Sequence, residues 1–155
     1  MISRRFTLGF LVAAISTPLR ANIRPAVTVF RSPSCGCCGA WAAYLRRAGF
    51  PVTINNDNDL AQVKLRAGVP EGLQSCHTAF IDGYVVEGHV PVEAIEKMLS
   101  MRPSILGIAV PGMPTGSPGM ETPGAKPDPF KVMSFAKGGA QDVFIGYPNG
   151  YLSSR

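Results

Sequence analysis

Charge is scarce in this sequence, and so are the patterns that would point to nucleic acid or to a membrane. Only 16% of the 155 residues are charged, and 15 basic residues oppose 10 acidic ones. There is no basic stripe with interleaved aromatic residues, which argues against nucleic-acid binding. The apolar run from Phe6 to Ile15 is shorter than the roughly 20 residues of a spanning helix. We therefore expect no nucleic-acid partner and no stable membrane span.

The first 21 residues have the order of an export signal. Arg4 and Arg5 precede the apolar run, and Leu19-Arg20-Ala21 ends in a small residue of the kind that a signal peptidase prefers. Ser3 to Leu8 also resembles a twin-arginine signal, so the export route is either Sec or twin-arginine. We expect residues 1–21 to be removed as a signal peptide and the mature protein to be periplasmic.

Cysteine is also scarce, but it is concentrated. Three of the four cysteines are Cys35, Cys37 and Cys38, between the apolar run Ala26 to Phe30 and a helical pattern that begins near Gly39. Adjacent Cys37 and Cys38 could form only a strained bridge, whereas Cys35 and Cys38 have the Cys-x-x-Cys spacing of redox and metal sites. A helix N-terminus there would favour thiolates. The stretch predicts a thiolate site that exchanges electrons, holds a soft metal, or does both.

The patterns after this stretch predict an α/β domain. Residues 26–101 indicate the order strand, helix, strand, helix, strand, strand, helix. Asp82-Gly83 between two apolar runs predicts a hairpin. With Cys-x-x-Cys between the first strand and the first helix, this order is thioredoxin-like, and the first two strands should be parallel. We expect a thioredoxin-like mixed sheet with flanking helices over residues 22–102.

Residues 103–155 are expected to form a loop-rich extension packed on that core. Glycine, proline and methionine are frequent in its first half, and the stretch from Pro111 to Glu121 has no period. Three short strands are predicted, over Ile105 to Val110, Lys131 to Phe135 and Asp142 to Tyr147. The last two should form a hairpin or a strand pair added to the sheet.

A second group of candidate ligands lies in the loop that enters the third strand, because this loop faces the Cys-x-x-Cys in a thioredoxin-like fold. A proline usually sits there, but this chain has Cys76-His77-Thr78, which removes a block to metal approach and adds a thiol and an imidazole. The resulting set exceeds the needs of one dithiol exchange and suits Cu(I), including a small multinuclear cluster with bridging sulfurs. Four of its members would also satisfy zinc, and Cys76 could instead be a buried core thiol. The set is Cys35, Cys37, Cys38, Cys76 and His77.

Three further residues are candidate metal ligands. His89 follows Gly88 and is either a ligand or a loop and capping residue. Met113 and Met120 lie at symmetric places in a Gly/Pro loop, where a thioether is a usable Cu(I) ligand in an oxidising compartment. Alternatively, the two methionines pin the loop to the domain by apolar contact. Trp41 is expected to pack in the core.

In combination, these motifs resemble the CopG-type periplasmic copper-handling proteins of bacteria. The resemblance covers about residues 27–147 and rests on four stretches: Ser34 to Gly39, Ser75 to Thr78, Gly88 to Pro91 and Val110 to Glu121. It implies a thioredoxin-like fold with extra terminal structure, copper binding at the Cys-x-Cys-Cys site with the later Cys-His pair, and a role in copper resistance. Its implied partners are copper ions and copper-efflux or other periplasmic copper proteins.

The residues leave more than one function open. The first is a periplasmic Cu(I)-binding protein, with or without cycling between Cu(I) and Cu(II) as an oxidoreductase. The second is a thiol-disulfide oxidoreductase in which Cys35 is the nucleophile and Cys38 the resolving thiol. Against the second function, the proline that positions a peptide substrate is missing. The third is a structural adaptor stapled by zinc or disulfides.

Overall fold

The computed structural model describes residues 24–151, so the predicted signal peptide, residues 1–21, lies outside the described residues. A seven-stranded sheet and three helices form the domain, with a short 3-10 helix at Glu71–Leu73 before the third strand. The strands are β1 (Val27–Arg31), β2 (Val52–Asn56), β3 (His77–Ile81), β4 (Tyr84–Glu87), β5 (Gly107–Ala109), β6 (Phe130–Phe135) and β7 (Gln141–Tyr147). The helices are α1 (Gly36–Arg47), α2 (Leu60–Ala67) and α3 (Val92–Met101). Within residues 24–151, no helix has the length and apolarity to cross a membrane.

The sheet is mixed and has the strand order β2-β1-β3-β4-β5-β6-β7. β1 pairs with β2 in parallel and with β3 in antiparallel. β3 and β4 form the predicted hairpin, and both residues of its turn, Asp82 and Gly83, have positive φ angles, as a tight two-residue turn requires. β6 and β7 pair at the far edge, so the C-terminal strand pair does extend the sheet. The predicted thioredoxin-like α/β fold is confirmed.

Two apolar cores form on opposite faces of the sheet because neighbouring strand residues point to opposite sides. Val86 and Ile108 belong to the larger core, whereas the adjacent Val85 and Ala109 belong to the smaller one. The larger core is closed by α1 and α3. The smaller one is closed by the end of α2 and the 3-10 helix. In α1 the buried residues recur at helical spacing: Cys38, Trp41, Ala42 and Leu45.

α1 begins at Gly36, three residues before the predicted start near Gly39, and that prediction was wrong. The reason is a cap that is seldom built from cysteine: Cys35 Sγ accepts a hydrogen bond from the Cys38 N–H at 3.3 Å. The sulfur replaces the side-chain oxygen that usually satisfies a first-turn N–H. As a result Cys37 and Cys38 lie within the first helical turn, at the positive end of the helix dipole.

The loop between β5 and β6, residues 110–129, packs over the N-terminus of α1 and is called the cover loop below. Thr115 and Asp128 bridge it through two hydrogen bonds of 2.9 Å. Gly119 lies so close to α1 that an added Cβ would be 2.7 Å from the Trp41 nitrogen and 3.0 Å from the Cys37 carbonyl oxygen. Only glycine fits this contact, and its φ of 84° also favours glycine.

Candidate metal centre

Three chain segments meet at one end of the sheet. Arg31, at the end of β1, is the cross-strand partner of His77, at the start of β3. The N-terminus of α1, which follows β1, therefore lies beside the start of β3. On the other side, β4 pairs with β3 and ends at Glu87, so the residues after it reach the same place. The fold thus brings the Cys35–Cys38 stretch against Cys76-His77, as the sequence predicts, and adds His89.

The four cysteine sulfurs lie within 4.8 Å of one another. Cys35 and Cys38 form a disulfide, while Cys37 and Cys76 are free thiols. Cys37 Sγ lies 3.5 Å from Cys35 Sγ and 3.9 Å from Cys76 Sγ, so it stands between the disulfide and the opposing loop. Cys38 is fully buried and the other three are half-buried. After reduction, four thiolates would face one small volume, which is a soft donor set.

Cys76 also belongs to a second cluster, with His77 and His89, whose ligand atoms lie within 4.8 Å of one another. Its sulfur is 3.0 Å from His89 Nε2 and 3.3 Å from His77 Nδ1. His89 Nδ1 lies 2.8 Å from the Pro118 carbonyl oxygen. Because a carbonyl can only accept, Nδ1 carries the proton and the Nε2 lone pair faces Cys76. His89 is therefore oriented as a metal-ligating histidine would be.

The electrostatics of the site keep both imidazoles neutral. Burial lowers the pKa of His77 well below its ordinary value, helped by His89 and Lys64. Burial also lowers the pKa of His89, although its hydrogen bond to Pro118 acts in the opposite direction. For Cys76, burial and the neighbouring Cys37 raise the thiol pKa to about 12. Without a cation the pocket disfavours charge on Cys76, His77 and His89, and a bound metal ion would reverse this for Cys76.

His77 turns one ring nitrogen, Nδ1, toward Cys76. Its ring is fully buried and packs on Trp41, with 4.5 Å between ring centroids. Trp41 donates its ring N–H to the Val90 carbonyl at 2.9 Å and is fully buried. It therefore packs in the core, as predicted. Among the described residues, His77 Nε2 finds no hydrogen-bond partner. A buried polar atom without a partner is costly and rare, so His77 is not explained by stability alone. Its Nδ1 beside the Cys76 thiol, together with the other thiols, is a donor set that fits a soft metal ion.

The two methionines occupy different environments within the cover loop. Met113 is 54% exposed and lines an open cavity of about 750 Å³ together with residues of β6 and β7. Met120 is half-buried and closes a tight turn through its N–H to the Ser117 carbonyl at 2.7 Å. Their ligand roles stay predictions.

Sequence reasoning missed three residues that support the site: Lys64, Glu87 and Pro118. Lys64 could have been found, because it lies on the apolar face of α2, at positions 60, 63, 64 and 67, where a charge is out of place. Glu87 follows the apolar run of β4 directly and is buried like its neighbours. Pro118 contributes only a backbone carbonyl, and a residue type carries no information about such a contact.

The cover loop should be needed for binding as well as for stability, and Gly119→Ala tests this. The new methyl group would collide with the backbone of α1 and push Pro118 away from His89. We expect metal affinity to fall at least about tenfold, as for other outer-sphere changes. The matched control is Gly124→Ala, which has a similar φ of 78° in the same loop but open space around it. Gly124→Ala should therefore lose only about 1–2 kcal/mol of stability, which is what the backbone strain costs.

Denaturant unfolding and metal competition on both variants separate the two effects. Equal losses of stability and affinity in Gly119→Ala and Gly124→Ala would contradict a role for the cover loop at the site.

The fold and this end of the sheet define a class of protein: a thioredoxin-like domain in which the Cys-x-x-Cys site is enlarged by a third cysteine and by an opposing Cys-His pair with a second histidine. Two solved structures titled copper resistance protein CopG, Form 2 and Form 1, are each 46% identical to this chain with a TM-score of 0.76. Each match covers 81% of this chain, and it covers 99% and 98% of the respective structures. The chain belongs to the family of the copper resistance protein CopG.

Two other comparisons bear on this assignment. A family model described as "Protein of unknown function, DUF411" matches residues 73–120. That segment contains Cys76, His77, His89 and most of the cover loop. None of the curated proteins matches the chain.

Proposed function

We propose that this protein acts in copper resistance by holding Cu(I) between the N-terminus of α1 and the loop before β3. The observation that supports this most directly is the position of Cys76, whose sulfur is shared by a cluster of four cysteines and a cluster with two neutral histidines. Thiolate and imidazole at low coordination number are the ligands that Cu(I) favours, and a shared sulfur suits a multinuclear arrangement. The proposed ligands are Cys35, Cys37, Cys38, Cys76, His77 and His89.

The methionines have a different part in this proposal. Met113 is largely exposed, which suits a thioether that Cu(I) meets on entry, and Met120 lies seven residues further along the same cover loop. A thioether stays usable where exposed thiols are oxidised. We therefore include Met113 and Met120 as ligands for incoming or outgoing copper. The partners would be copper-efflux or other periplasmic copper proteins.

The Cys35–Cys38 disulfide links copper binding to redox state. Breaking it takes two electrons and two protons and yields two thiols, and only then can all four sulfurs serve as thiolate ligands. Bound copper would supply a one-electron Cu(I)/Cu(II) couple. We propose that the protein holds copper in its reduced form, and that any redox activity belongs to the copper.

The test starts from the full chain expressed with its own N-terminus. The periplasmic fraction should contain protein that lacks residues 1–21, because the leader pattern predicts cleavage after Ala21. The reduced protein, titrated anaerobically with Cu(I) against a competing chelator, should bind with sub-micromolar affinity. Cys35→Ser should lose that affinity, since it removes one of the thiolate ligands. Weak binding that is unaffected by Cys35→Ser would contradict the proposal.

The Cys35–Cys38 disulfide also favours a second candidate, a thiol-disulfide oxidoreductase. Cys35 is half-buried and caps α1, where the Cys38 N–H and the helix dipole favour negative charge on its sulfur. However, the residues that would meet a peptide substrate are Cys76-His77, and none of the described peptide bonds is cis. Turnover of insulin by the metal-free protein, together with weak Cu(I) binding, would favour this candidate over the first.

A further inference from the structure

A charged pair is buried directly behind the candidate ligands. Glu87 is fully buried, and one of its oxygens accepts from Lys64 Nζ at 2.5 Å. Taking two charges out of water carries a desolvation cost that can exceed their mutual attraction. The pair is costly to bury, which calls for a reason other than stability.

The contacts of the carboxylate lie on both sides of Cys76-His77. Glu87 Oε1 accepts from the Ser75 N–H at 2.7 Å, immediately before Cys76. Glu87 Oε2 accepts from Thr78 Oγ1 at 2.7 Å, immediately after His77. Lys64 Nζ closes the network by donating to Thr78 Oγ1 at 3.1 Å. One carboxylate thus holds both residues that flank the Cys-His pair.

The backbone that follows Glu87 also fixes the relation of Cys76 to His89. Glu87 lies two residues before His89 in the chain, and Gly88 between them donates its N–H to the His77 carbonyl at 3.0 Å. Gly88 also leaves no room for a side chain, since an added Cβ would be 2.5 Å from Ser75 Oγ. Ser75 and Gly88 are thus packed against each other. A shift of the Glu87 side chain would release Ser75 and Thr78, which flank Cys76 and His77, and would disturb the packing of Ser75 against Gly88, the residue before His89.

The general behaviour of buried ion pairs also argues that stability is not the reason for this pair. Replacing such a pair by well-packed apolar residues is often neutral or stabilising, whereas removing one partner alone is strongly destabilising. Two well-packed apolar side chains at these positions would therefore stabilise the fold about as well as the ion pair does. What apolar side chains cannot do is accept the Ser75 N–H and the Thr78 hydroxyl hydrogen.

We propose that the Lys64–Glu87 pair is a positioning element of the metal centre, which holds Cys76, His77 and His89 at ligand spacing without touching the metal. This inference rests on the proposed function of the site. It assigns a role to two residues that lie outside the cysteine and histidine motifs. Lys64 comes from α2, on the sheet face opposite α1, so the helix layers on both faces contribute to one site.

The test is the double variant Lys64→Met/Glu87→Leu, in which both charges are removed together. We expect the metal-free protein to stay folded with at most a small loss of stability, because removing two buried charges offsets the unpaired Ser75 N–H and Thr78 hydroxyl. Cu(I) affinity, measured by chelator competition, should fall about 10- to 100-fold, the usual loss when an outer-sphere partner is removed. The near-ultraviolet thiolate-to-Cu(I) absorption should change as well. A purely structural role would leave affinity and absorption unchanged in a variant that stays folded.

The matched control is Arg24→Met/Glu96→Leu, which makes comparable changes in a surface pair on α3 and the N-terminal segment. It should leave Cu(I) affinity unaltered. If the buried double variant does not fold, Thr78→Val, close in size, frees one flank of His77 and should lower affinity in the same direction. Wild-type affinity in Lys64→Met/Glu87→Leu, or in Thr78→Val in that case, overturns the inference. Failure of the wild type to bind Cu(I) would instead overturn the proposed function.

Discussion

Replacing Cys76 by serine should weaken Cu(I) binding by more than about 100-fold, beyond the usual loss from an outer-sphere change. Cys76 is the one residue that both ligand clusters share. Its loss therefore removes a thiolate from the four-cysteine group and separates His77 and His89 from it. Serine is close to cysteine in size, and Cys76 is only half-buried, so the fold should persist. The measurement is anaerobic competition for Cu(I) on protein that has been reduced first.

All four cysteines belong to the site, so no cysteine can serve as a control for this substitution. Met101→Ser is the better match, because Met101 is an exposed sulfur-bearing residue at the end of α3. It should bind Cu(I) as the wild type does. Identical affinity in Cys76→Ser and Met101→Ser would mean that Cys76 is a structural thiol, the alternative left open by the sequence.

His77→Leu should lower Cu(I) affinity without lowering the stability of the metal-free protein. Leucine removes the unpartnered Nε2, whose burial costs about 1–3 kcal/mol. It also loses the ring contact with Trp41, which is worth about 0.5–1.5 kcal/mol. The two effects nearly cancel, or the first prevails, so the free energy of unfolding of the metal-free protein should be unchanged or higher. Cu(I) affinity should fall by more than about tenfold, because a ring nitrogen beside Cys76 is lost.

Denaturant unfolding with and without Cu(I) measures both effects in one experiment. A ligand that binds only the native state adds stability according to its affinity, so the gain on adding Cu(I) should shrink in His77→Leu. Ile95→Val, a conservative core change on α3, controls for a general loss of packing. A large loss of metal-free stability in His77→Leu, with the Cu(I) gain intact, would make His77 a core residue.

Much of this fold could be predicted from local patterns. The hairpin at Asp82-Gly83 follows from two residues that take positive φ at the expected place. The approach of Cys76-His77 to the Cys-x-x-Cys follows from the topology, because strands that pair must align their ends. In these cases the local preference and the tertiary fold agree.

The parts that could not be predicted depend on contacts between distant atoms. α1 starts at Gly36, earlier than predicted, because the Cys35 sulfur caps it, and cysteine is not among the usual capping residues. The tautomer of His89 depends on a backbone carbonyl in the cover loop. Glu87 looks like an ordinary strand end until Lys64 is placed opposite it. The identity of a residue does not reveal a partner that comes from another segment.

The β3–β4 hairpin has a consequence for the order of events during folding. Cys76, His77 and His89 lie at the open end of one hairpin, so a local element can assemble three ligands early. Cys37 lies 39 residues before Cys76 and reaches it only when α1 docks. Copper bound by the hairpin and by Cys37 would therefore cross-link two folding units. It would stabilise only chains in which α1 has docked. Folded molecules would then retain the copper, and incompletely folded ones would release it.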